Sequence, residues 1–219
     1  MSGRLFLDGK LSAFENMAVD ESLLRQVEAP VLRIYGWEQA CVSIGYFQKT
    51  SVVANGAGFV RRYTGGGLVE HGRDLTYTLV LPADHPLTLA GTLPSYRSIH
   101  TAVVAALRAA GVDGQLATAQ PQKDHPSCFL KPVPADVLDP KGNKLAGAAQ
   151  RRTRQGCLHQ GSILIPNKIP LSLPGLLAKE LAHTLQTDWS PGKKTAQEME
   201  LAKTLLRDRY STREWNFSR

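Results

Sequence analysis

The sequence predicts an α+β fold. Strand-like runs gather in the first two thirds of the chain, helical periodicities lie before and after them, and the two do not alternate regularly. That pattern favours a sheet flanked by helices over a doubly wound parallel sheet. With 219 residues, 42% hydrophobic and 21% charged, the chain can bury its own core, and residues 1–219 are expected to form one domain with a helical C-terminal part from about 171 to 219. No internal repeat or low-complexity segment interrupts it.

The elements follow in chain order. Ser12-Ala13-Phe14-Glu15 has the form of a capping box, and Phe14, Met17, Leu24 and Val27 recur near helical spacing, so a helix is expected over 13–28, ended by Pro30. Residues 31–35 and 41–46 are β-rich runs with a turn expected at Gly36-Trp37, and 75–81 is a third run stopped by Pro82. Ile99, Val103 and Leu107 form one stripe of a helix over 95–110, with Gly111 placed to cap it. Residues 111–134 read as strand fragments and a long loop, a feature more often functional than idle. A hairpin around Pro140-Lys141-Gly142-Asn143 and a strand at 162–165 come next. Leu176, Leu177, Leu181 and Leu185 then mark a helix, and Thr195-Ala196-Gln197-Glu198 is a second capping box opening another through Leu201, Leu205 and Leu206.

Charge and cysteine usage narrow the setting. Lys and Arg number 26 against 19 Asp and Glu, a formal charge of +7 that attracts acidic partners such as nucleic acid, anionic carrier proteins or phosphorylated ligands. Cys41, Cys128 and Cys157 are odd in number and far apart, which points to a reducing compartment, the cytoplasm by default. Without a Cys-x-x-Cys pair or a His-Glu-x-x-His pattern, no metal site is expected; no apolar run reaches the roughly 20 residues that span a bilayer. Arg151, Arg152 and Arg154 carry no recognisable nucleic-acid motif, so they read as a solvated or ligand-facing patch.

Three clusters could carry chemistry. In Arg61-Arg62-Tyr63-Thr64-Gly65-Gly66-Gly67-Leu68-Val69-Glu70-His71, three glycines let backbone amides approach a ligand closely, although alone they also suit a flexible hairpin turn. The flanking basic pair and His71 favour a ligand loop, and the absence of a following Gly-Lys-Ser/Thr rules out a Walker loop. Lys144, leaving a tight turn ahead of small residues, could reach a substrate oxygen or be an ordinary exposed lysine. Cys128, in Pro126-Ser127-Cys128-Phe129, lies in the long loop of a basic chain, where a thiolate is favoured; it is either a nucleophile or an inert thiol. Cys41 and Cys157 read as packing residues.

Six ordered stretches together resemble the biotin/lipoate protein ligase superfamily, in its branch of lipoate-protein ligases and cysteine-dependent octanoyltransferases. They are Glu15-Asn16-Met17-Ala18-Val19-Asp20-Glu21, Leu32-Arg33-Ile34-Tyr35-Gly36-Trp37, Ser43-Ile44-Gly45-Tyr46-Phe47-Gln48, the run from Arg61 to His71, the run from Lys144 to Arg152, and Glu214-Trp215-Asn216. The resemblance implies a central mixed or antiparallel sheet flanked by helices, of the type shared by biotin-protein ligases and class II aminoacyl-tRNA synthetases. It implies an acyl pocket lined by Gly65, Gly66 and Gly67, Lys144 at the acyl carbonyl or adenylate oxygen, and His71 orienting a group or exchanging a proton. Arg61, Arg62, Thr64, Gly147, Ala148 and His159 complete the substrate-binding set carried over from the family.

Within that branch, ligases activate a free acid with ATP and magnesium, whereas transferases pass an acyl group from acyl carrier protein through a cysteine to a target lysine. Cys128-Phe129, 16 residues before Lys144, resembles the transferase pattern, as does Asp74-Leu75-Thr76-Tyr77. Ala135-Asp136 stands where the ligases favour Asn-Asp. Gly67, by contrast, is the ligase-like residue where transferases usually have Arg, and His159-Gln160-Gly161 departs from the usual arrangement with His directly before the glycine. The resemblance therefore implies an octanoyltransferase of lipoate biosynthesis with catalytic Cys128, Lys144 and His71 and no cofactor. Its donor would be acyl carrier protein, and its acceptor a lipoyl domain or the glycine cleavage H protein, with no membrane or nucleic-acid partner. An ATP- and magnesium-dependent ligase, an amidotransferase between lipoyl-accepting proteins, and a non-catalytic acyl- or nucleic-acid-binding module are the alternatives.

Overall fold

A computed structural model describes residues 1–54, 57–118, 133–166 and 168–219. The first element, β1 (Ser2–Leu11), was not apparent in the sequence; it lies inside a mixed sheet, parallel to both β2 (Val31–Trp37) and β11 (Asp188–Pro191). The eight-stranded order is β11-β1-β2-β6-β10-β9-β8-β7, with β6 (Leu75–Pro82), β7 (Gln115–Leu116), β8 (Val137–Leu138), β9 (Lys144–Arg152) and β10 (Gly156–Ile163). From β2 outward every pairing is antiparallel. A three-stranded sheet, β4-β3-β5, stands beside it, formed by β3 (Cys41–Ile44), β4 (Phe59–Arg61) and β5 (Val69–His71). The α+β class and the mixed sheet thus match the sequence reading.

Helices cover both faces. The capping box at Ser12 and Glu15 opens α1 (Ala13–Arg25), shorter by a turn than expected, and that at Thr195 and Glu198 opens α5 (Ala196–Leu205). On the other face α3 (Thr92–Ala109) packs against α4 (Leu173–Leu185), and Gly111 takes the positive φ that its cap position requires. Short helices α2 (Pro86–Leu89) and α6 (Arg213–Asn216) and a π-helical turn at Leu206–Tyr210 complete the set. The stretch from 171 to 219 holds α4, β11, α5, the π-helical turn and α6 in that order. Gly36 and Trp37 belong to β2 rather than to a turn, because Trp37 is buried against α1 and its indole N–H donates to Thr76 Oγ1 at 2.7 Å.

Strand alternation divides the core in two. Leu32, Ile34, Tyr77, Leu79 and Leu81 face α3 and α4, while Val31, Tyr35, Trp37, Val80 and Leu158 face α1. Each fully buried aliphatic side chain contributes about 1.5–3 kcal/mol. The α1 side also buries Arg33 and Asp20, paired at 2.8 Å and both inaccessible to solvent. Arg33 further donates to Asp8 and to Asn16 Oδ1, so the charge is fully hydrogen-bonded, as a buried ion must be. Around the Asp20 carboxylate converge Tyr35, Thr78 and Gln160 as further donors, tying α1 to three neighbouring strands.

Candidate active site

On the α1 side, where the small sheet meets β9 and β10, lies a narrow cavity of about 40 Å³. Met17, Tyr35, Trp37, Val69, Ala148 and Ala149 give it apolar walls, and Ser43, Arg62, His71, Lys144 and Gln160 supply polar groups.

Main-chain approach shapes one wall. A Cβ on Gly45 would come within 1.9 Å of the Gly66 carbonyl oxygen, so the end of β3 and the glycine loop touch backbone to backbone. Gly66 adopts φ +82°, a conformation that glycine tolerates best. The buried Arg62 guanidinium staples this loop, donating to the carbonyls of Ser43, Gly65 and Gly67 at 2.8–2.9 Å and to Ser43 Oγ at 2.7 Å. Thr64 donates to Gln160 Oε1 at 2.7 Å, linking the loop to β10 and through Gln160 to Asp20.

A hydrogen-bonded chain runs beneath the loop. His71 Nδ1 lies 2.8 Å from Asp74 Oδ2 and its Nε2 lies 2.7 Å from Ser43 Oγ, while its ring stacks on Trp37 at 4.0 Å. Asp74 also accepts from Thr76, Ser162 and the Gly72 amide. Burial alone would raise the Asp74 carboxyl, but the hydrogen bond and charge from His71 and the two hydroxyl donors hold it below the ordinary aspartate value. A carboxylate there keeps a proton on Nδ1 and leaves Nε2 facing the Ser43 hydroxyl.

Lys144 sits across the cavity. Its ammonium is 2.8 Å from Asp136 Oδ2, with both side chains nearly inaccessible. Asp136 is held in turn by the Tyr96 hydroxyl at 2.6 Å and the Val133 amide at 2.8 Å, and Tyr96 Oη accepts from the Ala148 amide. A Cβ on Gly147 would lie 2.4 Å from Lys144 Cε and 2.5 Å from Nζ. The Lys-x-x-Gly spacing therefore has a direct cause: the lysine folds back over the glycine, where any side chain would collide with it.

The structure brings Arg62, Gly147, Ala148, Lys144 and His71 to the cavity wall, with Thr64 and the glycines Gly65, Gly66 and Gly67 forming the loop beside it. Two expected residues lie elsewhere. The Arg61 side chain donates to the carbonyls of Gly45, Tyr46, Gln48, Trp215 and Asn216, pinning the C-terminal segment rather than facing the cavity. His159 points to the α3 side, where it meets Tyr77, Gln150 and His100. Because strand neighbours face opposite ways, Gln160 takes the cavity position. Burial, with His100 and Arg152 adding to it, pulls the His159 pKa well below normal and keeps the ring neutral. Ser43, Asp74, Asp136 and Tyr96 carry no signal of a site role in the sequence. The Asp74 and Asp136 segments bear family patterns, but nothing local in sequence signals that these side chains reach His71 and Lys144.

Cys128 lies outside the described residues. Burial, reinforced by the Asp74 carboxylate, pushes the Cys41 thiol up to about 12, and burial raises that of Cys157 against the lowering effect of Arg152, so both remain thiols at neutral pH. Among the described residues no cluster of three or more His, Cys, Asp or Glu side chains is placed to hold a metal ion, and no helix is long and apolar enough to cross a membrane.

Comparison with known proteins agrees with this geometry. The model of the lipoyl protein ligase A/B catalytic domain matches residues 12–198. Octanoyltransferase LipM of Kyrpidia tusciae is 33% identical, with 98% of each chain covered. Among solved structures, protein Ta0514 from T. acidophilum with bound lipoic acid superposes with a TM-score of 0.82 at 26% identity, covering 100% of both chains. A bi-partite lipoate protein ligase, studied with its E2 lipoyl domain from Thermoplasma acidophilum, gives 0.78 at 25% identity, covering 99% of this chain and 96% of that one. With the cavity, the glycine loop and the lysine over its glycine in the segments that match, the chain belongs to the lipoyl protein ligase A/B catalytic domain family.

Proposed function

We propose that this chain is an octanoyltransferase of protein lipoylation, moving an octanoyl group from the thioester of acyl carrier protein to a lysine of a lipoyl domain or H protein. The observation that carries the reading is the pinned Lys144 ammonium at an apolar cavity, in a chain similar along its length to a protein named as an octanoyltransferase. A medium acyl chain suits apolar walls, and a thioester carbonyl under attack develops negative charge that a fixed cation stabilises.

In the first step the Cys128 thiolate attacks the thioester carbonyl, a C–S bond forms, and the carrier leaves as a thiolate that takes a proton from solvent. In the second the amine of the acceptor lysine attacks the acyl-cysteine, the C–N bond forms, and the Cys128 thiolate is released. The proton shed by the nitrogen passes through the Ser43 hydroxyl to His71 Nε2, with Asp74 balancing the imidazolium. Because the donor arrives already activated as a thioester, the sequence of steps needs neither ATP nor metal. Support for the nucleophile comes from the family resemblance of Cys128-Phe129. Described residues on either side of it in sequence also converge on Asp136: Val133 donates to the Asp136 carboxylate and Ala117 to its carbonyl. A working thiolate fits a reducing cytoplasm.

The test is a donor comparison with one lipoyl-domain acceptor. Octanoyl carrier protein alone should support amide formation, and octanoate with ATP and magnesium should not. Amide formation from the free acid only, with ATP, would replace the transferase by the ligase reading; transfer from octanoylated H protein but not from carrier would make it an amidotransferase.

A further inference from the structure

Beside the cavity lies a surface that the chemistry above does not use. The Arg151 guanidinium sits over the Tyr63 ring at 4.4 Å and the Tyr46 ring at 5.0 Å, and that of Arg219 over Tyr46 at 4.9 Å and Phe47 at 5.3 Å. Tyr46 and Phe47 meet edge to face at 4.9 Å, and Phe47 is 67% exposed. Neither Arg151 nor Arg219 forms an ion pair with a carboxylate among the described residues. Glu21, the acid that reaches this neighbourhood through Arg209, is already bound by Arg25, Arg209 and Tyr210.

The patch is continuous with the cavity. Ala149 lines the cavity and Arg151, two residues on, shares its face of β9. Tyr63 lies between Arg62 and Thr64, the Tyr46 amide donates to the Thr64 carbonyl, and a Cβ on Gly65 would touch the Phe47 ring at 3.9 Å.

We propose that Tyr46, Phe47, Tyr63, Arg151 and Arg219 form the docking surface for an acidic folded domain that carries the acceptor lysine. The proposal rests on the transferase reading for the site it adjoins. Arginines stacked on rings are held in place before binding, so they lose little side-chain freedom when a carboxylate arrives. An exposed phenylalanine with Arg219 over its ring is an anchor of the type that dominates interface energies, and the charge of Arg219 and Arg151 selects an acidic partner. Arginine with aromatic rings also suits single-stranded nucleic acid. The position beside the cavity, which a lysine must enter, favours the protein domain.

The experiment uses the R151E/R219E double variant and F47A, with a lipoyl domain of net negative charge as probe. Its Kd is measured by calorimetry at low and high salt, and the KM and kcat of amide formation in parallel. Both variants should weaken binding and raise KM about tenfold or more while kcat changes little. Acylation of the enzyme by a small octanoyl thioester should be unchanged, which also shows that the variants fold. Unchanged Kd and KM in R151E/R219E would overturn the proposal, as would salt-sensitive binding of a single-stranded RNA that exceeds that of the lipoyl domain. Because the calorimetric arm needs no turnover, an inactive wild-type protein would remove the transferase reading and leave the docking result standing.

Discussion

Lys144 and Gly147 work as one unit, because the ammonium reaches Asp136 only by lying where a Cβ on residue 147 would stand. Gly147→Ala should therefore displace the ammonium and, by drawing it away from the buried Asp136 carboxylate, lower stability as well. A misplacement on the order of 1 Å costs roughly 10²-fold in rate, so kcat should fall by about that factor and the thermal midpoint should drop with it. Lys144→Met should cost about 10²–10³ in kcat and, by leaving Asp136 buried and unpaired, lower stability; Lys144→Met with Asp136→Asn should recover stability but not activity. Turnover and urea unfolding of the three variants check both statements. His100 offers a pH test. Burial, partly opposed by Asp136 and the Ala135 carbonyl, lowers its pKa to about 4, and its Nε2 has no hydrogen-bond partner among the described residues. Below pH 6.5 the unfolded chain takes up a proton that folded His100 refuses until about pH 4, so stability falls as the pH drops through that window. The loss is on the order of 3 kcal/mol at the acid end, and His100→Gln should reduce the decline in urea midpoint between pH 6.5 and 4, the remainder including that of buried His159, whose pKa is lowered in the same sense.

At the scale of elements, the glycine loop and β3 are positioned by contact between backbones rather than by side-chain packing. Gly45→Ala would set a methyl 1.9 Å from the Gly66 carbonyl. The loop must move, so the variant should lose about 1–3 kcal/mol and bind acyl donors more weakly, read as a lower thermal midpoint and a raised KM. The same scale explains which elements could be read from sequence. The capping boxes of α1 and α5, the stripe of α3 and the β-rich runs of β2 and β6 carry local signals. By contrast, β1 has only Gly3 and Phe6 buried, and its neighbour β11 is contributed from 186 residues away. The first half of β9 is Gly- and Ala-rich and has low strand propensity; pairing with β10 holds it. In these elements tertiary context decides, and the same holds in the site. Lys144, the glycine loop and His71 stand out as motifs, whereas Asp136, Tyr96 and Ser43 become site residues only through contacts across the fold.

For the whole molecule, the +7 charge acquires a location in the stacked arginines beside the cavity. Salt should slow transfer between protein partners by weakening encounter, with screening setting in over about 10 Å at 0.1 M. Transfer from a small octanoyl thioester to a small amine should be nearly salt-independent, and stopped-time assays from 20 to 500 mM salt compare the two. The α+β architecture was legible because whole blocks of strand and helix segregate along the chain; the parallel pairing of β1 with β11 was not, since it joins the two ends of the chain. The transferase mechanism requires a covalent intermediate. The most direct measurement is mass spectrometry of the intact protein, followed by peptide mapping, after brief exposure to octanoyl carrier protein without acceptor, ATP or magnesium. The expected result is one octanoyl group per chain, on Cys128, removed by hydroxylamine or by adding a lipoyl domain, and absent from Cys128→Ser. Full transferase activity in Cys128→Ala, or an octanoyl group found only after ATP and free octanoate are supplied, would contradict it.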